Sequence, residues 1–276
     1  MRNSAIFSLL LVAVSAPAAP PAGVPDHLSV RAVAWDYSWK PATEAEWSAR
    51  VVSVVAAAVK AGADVVVFPE GFSQGRSLEA VLPSVKDAAG RDRLVVLGNA
   101  PHRVGEDAVS RAYILSGEAW QTMDKLDPTP AERARTPPVK PGMRLPLFRF
   151  RGGTVAVLPA YSIEKTEIAA SLKKRAISLV LVAAPPVDAE GAARLARCAA
   201  ARAVELGAAV VIAPPSSEAP ALHLPVQKGL ELKPQAPEGR DFRIPWKKVL
   251  DLRVRPETST EPRPFLEPAP YYQVEI

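Results

Sequence analysis

Three stretches of the chain repeat one phrase: a helical segment, a short break, then a continuously apolar run ending at proline. They cover residues 43–69, 167–186 and 188–215. The apolar runs are VVVF at 65–68, LVLVA at 179–183 and AVVIA at 209–213. Runs of this kind, without alternation, suit strands buried on both faces. Thr43 and Glu46 have the spacing of a capping box, in which side chains satisfy the free backbone donors of a first helical turn. Gly62 and Gly207 fall where a helix would end in a left-handed residue.

Further strands are predicted between these phrases. Residues 29–35 alternate weakly and 93–99 are short and apolar. Residues 110–116 and 119–126 form a predicted hairpin around Gly117, and 147–151 and 154–162 another around Gly152-Gly153. Helices alternating with buried strands indicate an α/β layered fold. Residues 217–276 are rich in proline and charge with weak periodicity, and are expected to be a peripheral extended tail. The expected organisation is therefore a single domain over 29–276.

The first residues read differently. A charged Met1-Arg2-Asn3 precedes the apolar run 5–16, followed by small residues and prolines. This is the layout of a secretory signal peptide, with cleavage expected after Ala16 or Ala19. Residues 1–19 are assigned to the signal and 20–28 to a Pro/Ala leader. The run is shorter than the roughly 20 residues a spanning helix needs, so no stable membrane insertion is expected after cleavage. The expected location is secreted or periplasmic.

Composition narrows the chemistry. The single cysteine, Cys198, excludes an intrachain disulfide and a cysteine-rich zinc or iron–sulfur site; it lies mid-helix, where a small buried residue is expected. His27, His102 and His223 are far apart and lack metal-ligand spacing, so no metal and no cofactor is expected. The net charge is +5, but the 34 basic residues are interspersed with 29 acidic ones and no groove-reading motif accompanies them, so no nucleic-acid partner is expected.

One motif after the first buried strand suggests esterase chemistry. Gly71-Phe72-Ser73-Gln74-Gly75 is a G-x-S-x-G sequence between a strand and a possible helix at 76–85, the context of a serine nucleophile elbow. Asp188 and His223 would complete its triad in chain order. No HGGG-like segment precedes it.

A second constellation starts on the same turn. Phe68-Pro69-Glu70 ends the first buried strand, Lys125-Leu126 ends a hairpin, and Glu132 follows. Pro141-Gly142 precedes a strand, and Ala160-Tyr161-Ser162 ends the next hairpin, with Glu167 shortly after. Arg202-Ala203-Val204-Glu205 closes the last helix. In order and spacing, residues 29–215 resemble the nitrilase superfamily of carbon–nitrogen hydrolases. The resemblance implies a four-layer α-β-β-α sandwich, and a homodimer in which helices of two subunits meet. It also implies Glu70 as general base, Lys125 as oxyanion partner, Glu132 as a second glutamate, and Ala160 in the place of the nucleophilic cysteine. Ser162 stands where the family has aspartate, and Tyr161 and Glu167 match.

A cysteine thiolate attacks an amide or nitrile carbon after losing its proton, which a carboxylate of raised pKa can take and return. An ammonium beside the developing oxyanion supplies electrostatic stabilisation. Ala160 has no lone pair to attack with. The implied protein is a nitrilase-like chain without cysteine-dependent cleavage, binding a small amide or carboxylate ligand. The alternatives are an amide hydrolase with an atypical nucleophile or an activated water, Ser162 being a candidate if it shares a strand face with Ala160, and the serine esterase built on Ser73.

Overall fold

The computed structural model describes residues 23–213, 222–224, 239–251 and 273–275. The signal segment lies outside the described residues, as does most of the expected tail.

The first sheet begins with β1 (Leu28–Val33), so the last leader residue already belongs to the fold. Helix α1 (Glu44–Lys60) follows, then β2 (Val65–Val67), α2 (Leu82–Ala89), β3 (Leu94–Val104), β4 (Asp107–Ser116) and β5 (Ala119–Asp124). The short α3 (Pro130–Arg133) leads to the second sheet: β6 (Arg144–Phe150), β7 (Gly153–Pro159), α4 (Thr166–Lys174), β8 (Leu179–Ala183), α5 (Ala189–Leu206) and β9 (Ala209–Ala213). The remaining elements are β10 (Leu222–His223), β11 (Gly239–Ile244), α6 (Trp246–Asp251) and β12 (Gln273–Glu275).

These strands make two six-stranded sheets, ordered β11-β1-β2-β3-β4-β5 and β10-β9-β8-β7-β6-β12. The three fully apolar strands β2, β8 and β9 pair in parallel with neighbours and are buried throughout. The sheets pack face to face, with β1 against β9, β2 against β8 and β3 against β7. Side chains such as Val30, Val65, Val96, Val157 and Leu181 fill the space between them and merge with the layer under α4 and α5. On the outer face of the first sheet, α1 and α2 bury Trp47, Val51, Val55 and Val85 against Phe68, Val95 and Leu97. The result is the four-layer α-β-β-α sandwich.

Local signals explain the helix ends. Thr43 accepts the Glu46 N–H at 3.1 Å, but the Glu46 carboxylate returns to Ala42 N rather than to Thr43, one residue outside a capping box. Gly207 ends α5 in the left-handed conformation at φ 60°. The helical segment expected directly after Ser73 is displaced: residues 71–79 form turns and α2 starts only at Leu82, with a proline in its first turn.

Two expectations change. The strand expected over 154–162 ends at Pro159, which has no N–H to extend the ladder, and Ala160–Glu164 turn into a 3₁₀ helix. Ala160 and Ser162 therefore do not share a strand face. The region expected to be peripheral also contributes to the core. β11 pairs with β1, Arg31 grips Asp241 through two bonds of 2.6 and 2.5 Å, and Trp246 is fully buried. Its indole donates to Arg151 O at 2.7 Å, and its ring occupies the space where a Cβ on Gly153 would stand. Isolated buried residues separated by prolines carry too little periodicity to announce this strand and helix.

Candidate active site

The parallel strands of both sheets deliver their C-terminal ends to one edge of the sandwich, the usual place for a site in α/β sheets. Glu70 is the third residue after β2, Lys125 follows β5 directly, and Ala160 follows β7 directly. Opposite β2, the residue after β8 anchors Glu70, whose N–H donates to Ala184 O at 3.0 Å. Tyr37 Oη donates to Glu70 O at 2.7 Å from the β1–α1 connection. Gln74 ties the same connection to the Glu70 turn by donating to Trp39 O at 3.0 Å.

The Glu70 side chain meets Lys125 with Oε1 to Nζ at 2.6 Å. On the other side, Lys125 Nζ lies 3.0 Å from Glu132 Oε2 and 3.2 Å from Oε1. The Lys125 side chain is 1% exposed and Glu70's is 9%. Glu132 is held by the backbone as well: Thr129 and Glu132 form a reciprocal capping box at the start of α3, Glu132 Oε2 accepting from Thr129 N at 2.7 Å. The ammonium is thus clamped between two carboxylates of different status.

The electrostatics separate these carboxylates. Burial pushes the Glu70 carboxyl above the usual range, and this outweighs the opposing pull of Lys125, while the Glu132 charge adds to the rise. Burial also acts on Glu132, but the Thr129 backbone donor and Lys125 outweigh it and hold that carboxyl low. For Lys125, burial favours the neutral amine, yet the charges and hydrogen bonds of Glu70 and then Glu132 prevail and raise it. The three groups titrate as a coupled set. Within it, the surroundings favour the charged forms of Lys125 and Glu132 and the neutral form of Glu70. Glu70 Oε2 is buried with no hydrogen-bond partner.

The 3₁₀ turn carries Ala160, buried at 5% exposure, and Tyr161, whose ring centroid lies 5.7 Å from Lys125 Nζ in a cation–π contact. Arg202 on α5 pins this turn: Nε donates to Ile163 O at 2.9 Å, a second nitrogen donates to Glu164 O at 3.3 Å, and its remaining arm pairs with Glu205. Lys165 bridges to Asp127 at 2.9 Å and so joins the Ala160 turn to the loop after Lys125. Glu167 lies in the first turn of α4. Ser162 is fully buried, its hydroxyl has no partner, and it faces a small cavity lined by Leu158, Ile163, Ile168, Leu172 and Val180. The structure therefore brings Glu70, Lys125, Glu132 and Tyr161 together, with Ala160 beside Tyr161 on the same turn, and sends Ser162 into the core.

The family model described as carbon-nitrogen hydrolase matches residues 29–218. The chain belongs to the carbon-nitrogen hydrolase family. Among solved structures it is similar to an amidase from Nesterenkonia sp., at 20% identity over 82% of this chain and 93% of that one, with a TM-score of 0.64. A cysteine-to-alanine mutant of the amidase from Nesterenkonia sp. AN1, in complex with butyramide, matches at 19% identity over 84% and 95% of the two chains, TM-score 0.62. A glutamine-dependent NAD+ synthetase from Acinetobacter baumannii matches at 15% identity over 67% of this chain and 38% of that one, TM-score 0.53. These likenesses concern the fold. A search of curated proteins finds no match.

The serine triad is not assembled. Ser73 is fully buried, and neither its hydroxyl nor His223 Nε2 has a hydrogen-bond partner. Asp188 caps α5 instead, its Oδ1 accepting from Gly191 N at 2.8 Å. Cys198 lies half-buried on α5 and packs against the core. Among the described residues no group of three or more His, Cys, Asp or Glu side chains could hold a metal ion, and no helix is long and apolar enough to cross a membrane.

Sequence reading missed Tyr37, Gln74 and Asn99 around the site. Their contacts run between segments 30 or more residues apart, or across a bulge, and no local pattern signals them. Arg202 was visible through its place before Glu205, but its grip on the Ala160 turn was not.

Proposed function

We propose that this chain is an exported, nitrilase-like protein whose nucleophile position is occupied by Ala160 and whose pocket binds a small neutral carboxamide without cysteine-dependent cleavage. The observation that carries this reading is the Glu70–Lys125–Glu132 clamp, in which Lys125 also faces the Tyr161 ring next to Ala160 and one Glu70 oxygen is left unpartnered. A buried carboxylate oxygen without a donor is costly, and a ligand N–H would satisfy it. Two carboxylates face one ammonium, so a carboxylate ligand would add a second excess negative charge to a buried site, whereas an amide adds none. Of the two ligand classes the sequence suggests, the charge balance favours the amide. Alanine at the corresponding chemical position is compatible with amide binding in a protein of this fold, since a cysteine-to-alanine variant of the similar amidase was solved with butyramide. The charged, apolar and small-residue order of residues 1–19 supports export.

A second reading has a specific observation behind it. A Glu70 carboxyl raised by burial is suited to take a proton from water, which would then attack the amide carbon directly. Titration of the native chain with butyramide, with ammonia assayed in parallel, separates the two. Saturable binding without ammonia supports the non-cleaving reading. Ammonia release abolished in Glu70→Gln supports the activated-water reading. Neither binding nor release would leave the clamp as a structural ion pair only.

A further inference from the structure

Asn99 lies between the backbone segments behind Glu70 and Lys125. It sits at a bulge in β3, where the register against β4 shifts between Leu97 and Ala100. Its side chain is in the interior, the residue being 1% exposed. Nδ2 donates to Ser110 O at 2.9 Å. That same carbonyl accepts the Lys125 N–H at 2.7 Å. On the opposite side, the Asn99 carbonyl accepts the N–H of Gly71, the residue after Glu70, at 2.9 Å. The preceding Gly98 comes so close to the other loop that a Cβ there would stand 2.2 Å from Pro69 O. The bulge is therefore pressed against the peptide that delivers Glu70, and the next side chain bonds the Ser110 carbonyl to which the Lys125 N–H is also tied.

We infer that Asn99 is a positioning residue that fixes the separation of the Glu70 carboxylate and the Lys125 ammonium, through its backbone on one side and its side-chain amide on the other. The inference deepens the amide-binding reading by naming what sets the geometry of that site. The residue type follows from the task. A buried carbonyl already bonded to one N–H keeps a second lone pair, which a short uncharged donor on the neighbouring strand can fill, here at the cost of leaving Asn99 Oδ1 unpartnered. Asparagine meets those conditions. Leucine would match its size without a donor, and aspartate would match it while donating only when protonated.

The test uses the full chain with carbon-13 labelled glutamate and nitrogen-15 labelled backbone. In Asn99→Leu, the carboxyl titration of Glu70 should move up by about one pH unit, because the ammonium that opposes the effect of burial is no longer held in place. Butyramide affinity should fall about tenfold, which corresponds to a change of that same size in the site's energetics. Asn99→Asp is the second variant. Its Lys125 amide resonance should sit at the native position at low pH, where the new carboxyl donates to Ser110 O, and should move away as that carboxyl ionises. An Asn99→Leu variant that folds with an unmoved Glu70 titration would overturn the inference, as would a Lys125 resonance in Asn99→Asp that is independent of pH. The titration readouts need no ligand. If the native chain fails to bind butyramide while the Glu70 titration still moves, the amide-binding reading falls and the positioning role stands.

Discussion

Glu70 Oε1 and Lys125 Nζ stand 2.6 Å apart with almost no solvent reaching either side chain. Removing one partner of such a pair leaves an uncompensated buried charge. Lys125→Met should therefore destabilise the fold by about 3–5 kcal/mol. Glu70→Gln combined with Lys125→Met should recover much of that loss, since two neutral groups can be buried together. Urea unfolding of the native chain, the two single variants and the double variant gives the coupling directly. Additive losses would mean that the two side chains do not act as a pair.

The two glutamates should leave opposite marks on stability against pH. Glu70 has a raised folded-state pKa, so its contribution is fully present below the ordinary value of 4.5 and is lost as pH rises through the folded value. Glu132 is depressed, so its contribution is present above 4.5 and is lost as pH falls through its folded value. Between pH 5 and 8 the stability of Glu70→Gln relative to the native chain should improve as pH rises. The penalty of Glu132→Gln should be full at pH 7 and shrink in acid below 4.5. Denaturant unfolding across that range measures both slopes, and parallel curves for the two variants would contradict the assignment.

The buried hydroxyls of Ser73 and Ser162 have no partners, and each costs desolvation without a compensating bond. Ser73→Ala and Ser162→Ala should be neutral or more stable, by up to about 1 kcal/mol. Neither change should alter butyramide binding. A fluorophosphonate probe should label neither the native chain nor Ser73→Ala. Labelling that disappears in Ser73→Ala would restore the esterase reading.

Trp246 checks how far the core extends toward the C-terminus. It is fully buried against Gly153 and donates to Arg151 O. Trp246→Ala should lower stability by about 3–5 kcal/mol, the usual range for an aromatic lost from a core. A loss under about 1 kcal/mol in chemical denaturation would place it outside the cooperative unit.

How much of this was legible in the sequence differs by element. β2, β8 and β9 were readable because their buried runs have no competing period, and the helices before them carried caps. Glu70, Lys125 and Glu132 were readable by their order along the chain, and their convergence depends on which strands become neighbours. Ala160–Ser162 read as strand because they continue the run of β7; only the proline before them hinted at the turn. β11 and α6 were hidden because their burial is long-range, with Phe242, Ile244 and Trp246 packing on elements some 90 to 210 residues earlier. Tyr37 and Asn99 were silent because a side-chain hydrogen bond to another segment's backbone, across loops for Tyr37 and across the β3–β4 bulge for Asn99, leaves no mark on local composition.

The proposed amide-binding role treats Ala160 as standing in for a nucleophile, and Ala160→Cys is the sharpest probe of it. The measurement is ammonia release from butyramide, together with covalent addition of fluoroacetamide detected by intact mass. The native chain should form no adduct, Ala160→Cys should form one at position 160 with measurable ammonia release, and the ammonia release should fall at least tenfold when Glu70→Gln is added. A correctly folded Ala160→Cys that neither releases ammonia nor takes up the label would contradict the account.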